Sequence, residues 1–540
     1  MNRLALLSAT LAFVVTASAQ QPQPAPADTL FLHGEILTGV HLQPNDNDPV
    51  PARVHALAVR DGRIIAVGTD DQMLAFKGPH TEVVDLAGQF AMPGFNDAHT
   101  HIAEAGLDHL SADLHGVASL AEMQSRIRSY AATLKPGQWI VGGGWDHTRW
   151  PGKTLPTRQD LDAVTGDHPA FLDRVDGHIA VANTAALQAA GITDTTPDPK
   201  GGKFDHDASG HLTGIIRETP AKTLIEQHIP SPDFATRGRA LELSIQDALA
   251  HGVTSVQDFS TWDDWLVLEE LEHQKKLPIR VYEWVDFNLP VTVLEQRRAG
   301  HDPNDPLLHM GMLKAFMDGS LGSRTAALNA PYSDEPNNSG LARYDADKLN
   351  AMTTDRAAAG FQLGFHAIGD RANDMALDAF EAAEQAGTPA SAYLCQQHEL
   401  QYERSLPPDA IVTRPNPCPA APYAPRDFRF RIEHAQVVSP GAFDRFAALG
   451  VIASMQPSHL LTDMAWAGQR LGPERSKRAY AWHSFLTHGV TLAFGTDYPV
   501  ESINPMRGLY AAIDRMNEAA TQSFEPQEKL TINQAIYAYT

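Results

Sequence analysis

The chain is 540 residues long, too long for one small core, so it holds two or more domains or one large barrel with additions. Its composition, 43% hydrophobic and 20% charged, is that of an ordinary globular protein. A formal charge of −23 repels phosphate backbones and argues against nucleic acid as a partner, while leaving the fold open.

The first residues read as a targeting segment. Met1-Asn2-Arg3 begins positive, and Leu4 to Val15 is apolar but short for a bilayer span. Thr16-Ala17-Ser18-Ala19 then puts small residues where a signal peptidase cuts. Residues 1–19 are expected to be a signal peptide for export across a Gram-negative inner membrane, placing the mature protein in the periplasm or outside the cell. Residues 20–27, rich in Gln and Pro, are expected to be a flexible leader. No later run is apolar enough over sufficient length to span a membrane.

Residues 28–90 alternate short β-type runs with turns. Asp61-Gly62 is a hairpin signal between Val54 to Val59 and Arg63 to Gly68, and the region is expected to be a small β-sandwich. Next comes Ala91-Met92-Pro93-Gly94-Phe95-Asn96-Asp97-Ala98-His99-Thr100-His101. In an extended strand the residues at i and i+2 share a side, so His99 and His101 can present two imidazoles to one metal ion. Such a pair alone is more often a polar strand face; the later segments give it weight.

From 107 to 233 the patterning is mixed helix and loop, with Ser119 as the N-cap of a helix reaching Leu134. The section is expected to be a large insertion covering an active-site mouth. Beyond it, strand-like runs alternate with helix-length spacers: Gly252 to Asp258, Ile279 to Val285, Leu313 to Asp318, Gln362 to His366, Arg429 to His434, Val451 to Met455 and Thr491 to Asp497. With the His99 segment these make eight β/α repeats, which imply an α/β fold of the TIM (β/α)8 barrel type over residues 91–540. Reactive groups of such barrels sit at the C-terminal strand ends. His99, His101, Lys314, His366, His434 and Asp497 all fall there, so they are expected to converge at one mouth.

These segments resemble the metal-dependent amidohydrolase superfamily, and specifically its amidohydrolase family 3 branch. The motifs that carry the likeness are Pro93 to His101, Lys314-Ala315-Phe316-Met317-Asp318-Gly319-Ser320-Leu321-Gly322-Ser323-Arg324-Thr325-Ala326, His366 to Ala372, Arg431 to Gln436 and Gly495 to Val500. The resemblance implies that Lys314 is carboxylated and bridges two divalent metal ions, with zinc expected on imidazole ligands. One ion is then held by His99, His101, carboxylated Lys314 and Asp497, the other by His366, His434 and the same carbamate. An ammonium cannot ligate a cation, whereas a carbamate offers two anionic oxygens that can span metals about 3.5–4 Å apart. The alternative is a cationic Lys314 paired with Asp318 beside a single metal.

The implied activity is hydrolysis of a carbon–nitrogen bond other than a peptide bond, such as an N-acyl or N-formyl amide, by a metal-bridged hydroxide. Asp497 is the expected catalytic proton carrier. A deaminase or carbon–oxygen hydrolase on the same scaffold is the nearest rival, and a non-catalytic metal-binding protein the more distant one. Candidate substrate contacts are Arg324, which could grip a carboxylate, together with His178 and Trp145 in family-like segments. The expected partner is a small-molecule amide, and self-association into a homo-oligomer is left open.

Two features depart from the family pattern. Residues 387–426 form an enlarged connection carrying Cys395 and Cys418, an even pair that an oxidising compartment could join or leave free. The sequence also ends inside an expected helix, where relatives continue into strands that complete the sandwich. A half-sandwich would expose edge strands and apolar surface.

Overall fold

The computed structural model describes residues 24–40, 42, 52–175, 177–386 and 428–540. The segment 1–19, Asp176, both cysteines and the enlarged connection 387–426 lie outside the described residues. The chain forms two compact units, Met1–Pro93 and Gly94–Thr540.

In the first unit, Arg63–Gly68, Ala56–Arg60, Thr29–Leu32 and Glu82–Asp85 make a four-stranded sheet in that spatial order. Asp61 and Gly62 both take positive φ, as the tight turn between two antiparallel strands requires. Arg53–Val54, Glu35–Leu37 and Phe90–Ala91 make a second, three-stranded sheet. A short helix, Asp70–Leu74, departs from the all-β expectation; Thr69 and Gln72 close a capping box at its start. Its Met73 completes a small core with Leu30, Leu32, Ala56 and Ala58. Ile64, Val67 and Phe90 remain exposed on the unit.

The second unit contains the barrel. Its strands are β1 (Phe95–Thr100), β2 (Val253–Phe259), β3 (Arg280–Asp286), β4 (Leu308–Phe316), β5 (Gln362–Ala367), β6 (Arg431–His434), β7 (Ile452–Met455) and β8 (Leu492–Phe494). They lie side by side in sequence order and pair in parallel throughout. The ring is drawn together beyond β8, where the Asp497 N–H donates to the His99 carbonyl at 2.8 Å and Thr100 bridges to Tyr498. Apolar runs such as Ile432, Ala453, Phe365 and Leu313 are fully buried, as strands covered on both faces must be. The eight-stranded parallel barrel expected from the sequence is present.

Three helices bear on the site. Helix α1 (Ile102–His109) leaves β1 directly, α2 (Phe234–Ala250) is capped by Asp233 through the Thr236 N–H, and α3 (Trp262–His273) carries a Thr261/Asp264 capping box. Helices α1 and α2 meet at Gly106, where an added Cβ would lie 2.0 Å from the Ala240 carbonyl oxygen.

The insertion is better ordered than its sequence suggests. It contains a six-stranded sheet in the order Lys203–His206, Leu212–Arg217, Ile179–Ala182, Ala170–Arg174, Ile140–Trp145 and Ala112–Asp113. Helix Leu120–Ala131 follows its expected cap, Ser119, which accepts from the Glu122 N–H. The strands were obscured because they are short and one reads Ile-Val-Gly-Gly-Gly-Trp. Gly142 in that run sits at φ +128° with Ala112 backbone 2.5 Å from where a Cβ would be, so no side chain is available to mark the strand.

Candidate metal centre

The barrel delivers each of the six sequence-picked residues to the same end. His99 lies inside β1 and His101 just after it; Lys314 and His366 lie near the ends of β4 and β5, His434 ends β6, and Asp497 follows β8. The Asp497 Oδ1 atom is 3.3 Å from His101 Nε2 and 3.5 Å from His99 Nε2. Lys314 Nζ is 2.9 Å from the same His99 nitrogen. The His434 ring packs 5.1 Å from His99 and 4.4 Å from His366, centroid to centroid. One ligand atom each from His99, His434 and Asp497 falls within a mutual distance of 4.8 Å. That trio joins a member of one expected ligand set to two of the other.

The hydrogen bonds around the centre decide which nitrogen each imidazole presents. Glu433 Oε2 lies 2.8 Å from His99 Nδ1 and the Phe259 carbonyl 3.0 Å from His101 Nδ1. Each acceptor draws the proton to Nδ1 and leaves an Nε2 lone pair facing inward. On His366 the Gly319 carbonyl, 3.2 Å from Nε2, does the converse and frees Nδ1. The inward His101 nitrogen therefore faces a carboxylate oxygen, that of His99 faces the same oxygen and the Lys314 amine, and the buried Nδ1 of His434 has no hydrogen-bond partner among the described residues. Acceptors facing acceptors repel unless a cation lies among them. The donor set fits a divalent metal ion.

Electrostatics agree. Burial, assisted by the Lys314 ammonium, lowers the His99 pKa to about 4 and that of His366 to about 3. Burial followed by His366 pushes His434 well below the ordinary imidazole value. All three are neutral, and so able to ligate, at neutral pH. Burial opposes charge on His101, but Asp497 outweighs it and raises that pKa. Burial would also raise Asp497, yet the imidazoles of His99 and His101 hold its carboxyl well below the usual range. His434 and Asp497 themselves adopt φ of +72° and +61°, strained backbone of the kind that persists where the surroundings over-determine it.

Behind these side chains stands a buried charged network. Arg431 Nε donates to Glu433 Oε1 at 2.5 Å, its Nη2 reaches the Ala98 carbonyl at 2.6 Å, and Nη1 binds the Gln257 carboxamide. Ser454 Oγ donates to Glu433 Oε2 at 2.7 Å. Burial of Glu433 is overcome first by the Arg431 charge, so its carboxyl stays ionised against His99. Asp97 ties β1 to β8, accepting from Thr496 Oγ1 at 2.6 Å, Thr496 N–H at 3.0 Å and His99 N–H at 3.1 Å.

Lys314 is enclosed, 1% exposed, with its amine 5.0 Å from the Trp284 ring centre. Burial lowers its pKa to about 8, although Glu433 and Asp497 oppose the change. The suggested Lys314–Asp318 pair is not formed. Asp318 instead accepts from the N–H groups of Ala327 at 2.9 Å, Ile368 at 3.1 Å and Gly369 at 2.8 Å, fastening the loops after β4 and β5.

The three substrate-contact candidates fare differently from the ligands. Trp145 is fully buried inside the insertion, its indole donating to the Leu172 carbonyl at 3.0 Å, so it is a core residue with no face for a substrate. Arg324 already grips Asp334, with Nη2–Oδ2 at 2.8 Å and Nε–Oδ1 at 3.2 Å, so its fork is used within its own loop. His178 is half exposed and pairs with Glu218 at 2.9 Å across the insertion sheet. The aromatic surface near these ligand candidates comes from elsewhere: a cavity of about 670 Å³ includes His101, Phe259, Trp262, Trp284 and Phe316 in its lining. Sequence reasoning missed His459, whose Nε2 lies 3.6 Å from Asp497 Oδ2, and assigned no role to Glu433 although it stands beside His434.

Comparison with known proteins places this geometry in context. The model described as "Amidohydrolase family" matches residues 82–540. The protein LONG AFTER FAR-RED 3 of Arabidopsis thaliana is 32% identical, over 97% of this chain and 84% of its own length. An N-substituted formamide deformylase of Arthrobacter pascens is 26% identical over 90% of this chain and 84% of its own. Among solved structures, a metal-dependent hydrolase from Pyrococcus furiosus superposes with a TM-score of 0.74 at 29% identity, covering 95% of this chain and 92% of that one.

Proposed function

This chain belongs to the amidohydrolase family of metal-dependent hydrolases that act on carbon–nitrogen bonds, and we propose that it removes an N-acyl or N-formyl group from a small-molecule amide. The observation that carries the reading is the convergence of His99, His101, His366, His434, Lys314 and Asp497 at one end of the barrel. The deformylase likeness supports an amide with a substituted nitrogen. The aromatic cavity beside His101 supports a substituent that is apolar or planar.

His99, His101, Lys314 and Asp497 would hold one metal ion and His366, His434 and the same lysine a second; zinc suits such imidazole ligands. Metal bound there would polarise the amide carbonyl and make a water acidic enough to attack at neutral pH. The chain's own groups supply the rest. The Lys314 amine, with its pKa lowered to about 8, is neutral often enough to combine with carbon dioxide, releasing a proton and becoming a carbamate. Asp497, kept ionised by its imidazole neighbours, takes the proton of the attacking water and returns it to the departing nitrogen. Glu433 and Phe259 hold the His99 and His101 rings in the required tautomer. Export, following cleavage after Ala19, belongs to the same proposal and rests on the segment Met1 to Ala19.

The test is to supply purified protein with zinc and bicarbonate and to follow amine release from a panel of N-formyl and N-acyl amines. Amine plus carboxylate is the expected outcome, abolished by chelation. Ammonia from aminated rings instead would make the protein a deaminase, and turnover unaffected by chelation would remove the metal from the account.

A further inference from the structure

His459 stands at the start of a short helix, His459–Asp463, four residues beyond the end of β7. Its side chain is 12% exposed, and its buried Nε2 has no hydrogen-bond partner among the described residues. The ring lies nearly parallel to His434, at 18° with centroids 5.9 Å apart, so its plane is fixed from one side. The ring nitrogen faces Asp497 Oδ2 at 3.6 Å, a fraction of an ångström outside hydrogen-bond range. The other oxygen of that carboxylate, Oδ1, faces His99 and His101. Asp497 is thus addressed on its two oxygens by two different sets of imidazoles. A proton-carrying carboxylate that is also a ligand must keep one oxygen toward the metal and the other directed at its proton path. A freely turning carboxylate would lose that distinction.

We propose that His459 is a positioning residue for Asp497: its Nε2–H holds Oδ2, fixing the plane of the carboxylate and reserving Oδ1 for the metal side. The logic is that of a base oriented by a third group, here an imidazole behind an aspartate. Burial of a polar nitrogen without a partner is disfavoured, and the carboxylate oxygen it faces is the group that relieves it. The inference rests on the proposed function only in assigning proton transfer to Asp497.

The test uses the full chain loaded with Co²⁺, comparing the wild type with His459→Ala and His459→Gln, since a glutamine amide can still donate at a similar reach. The alanine variant should lose roughly 10–100-fold in kcat, the usual cost of removing a group that orients a ligand, with KM and bound Co²⁺ unchanged. Its visible Co²⁺ absorption should shift, and glutamine should restore both the band and most of kcat. Four results overturn the proposal: an alanine variant with wild-type kcat, a raised KM at unchanged kcat, loss of Co²⁺ from the alanine variant, or a glutamine variant no better than alanine. If the wild type hydrolyses no amide, the proposed function fails by itself. The Co²⁺ band then decides the role of His459, an unshifted band in the alanine variant overturning it.

Discussion

Glu433 shows how much of the centre depends on residues that would never touch a substrate. Its carboxylate is fully buried between Arg431 and His99, and the Arg431 charge, ahead of His99 and Lys314, keeps it ionised there. Glu433→Gln removes the charge that fixes the His99 tautomer, and Zn²⁺ affinity measured by competition with a chromogenic chelator should fall about 10–100-fold. Unchanged affinity would mean that His99 needs no orienting partner. Arg431→Met instead leaves the carboxylate buried without its cation, and urea unfolding should show a loss of about 3–5 kcal/mol. Asp97 offers a pH test. Burial pushes its carboxyl up to about 7, so between about 4 and 7 the native state holds a proton that the unfolded chain has released. Stability falls with rising pH wherever the native state binds more protons, and this group's contribution is lost across that window. Asp97→Asn can keep the bonds from both N–H groups and removes the titration. In metal-free protein its melting temperature relative to wild type should therefore rise from pH 5 to pH 8; a flat difference would place the Asp97 pKa near its ordinary value. Residue chemistry was legible in the sequence where side-chain type sufficed. It failed for Trp145 and Arg324, because burial of the one and the Asp334 partner of the other depend on packing.

At the level of elements, helices α1 and α2 fix the chain that leaves His101. Gly106 allows them to touch, and any side chain there meets the Ala240 carbonyl. Gly106→Ala should cost about 1–3 kcal/mol by overpacking. Because α1 begins next to His101, metal affinity should weaken along with stability; a destabilised variant with wild-type affinity would show that the ligand is held independently of the helix. The barrel strands were readable because parallel strands covered on both faces are continuous apolar runs separated by helix-length spacers. The insertion sheet was not. Its strands are four to six residues long apart from the two-residue Ala112–Asp113, and the Gly142 to Gly144 run removes the side chains that alternation needs.

Across the whole molecule, all six sequence-picked ligand candidates lie in Gly94–Thr540, on or just beyond strands distributed around the ring. A metal that binds only the folded arrangement stabilises it by mass action, by about 2.7 kcal/mol at a hundredfold excess over its dissociation constant. Calorimetry should therefore give a lower melting temperature in chelator than in zinc, reversed when zinc is restored. Identical melts would show that the lone-pair cluster gains nothing from a cation. The sequence by itself determined the kind of donors available, their position at strand tips and the eight-repeat frame, because each is written in residue type and local periodicity. Only the tertiary structure decided which nitrogen of each ring faces inward, that Glu433 and Arg431 stand behind His99, and that His459 faces Asp497. Those facts follow from the register between strands hundreds of residues apart, and a shift of one position in a strand turns its side chains to the other face.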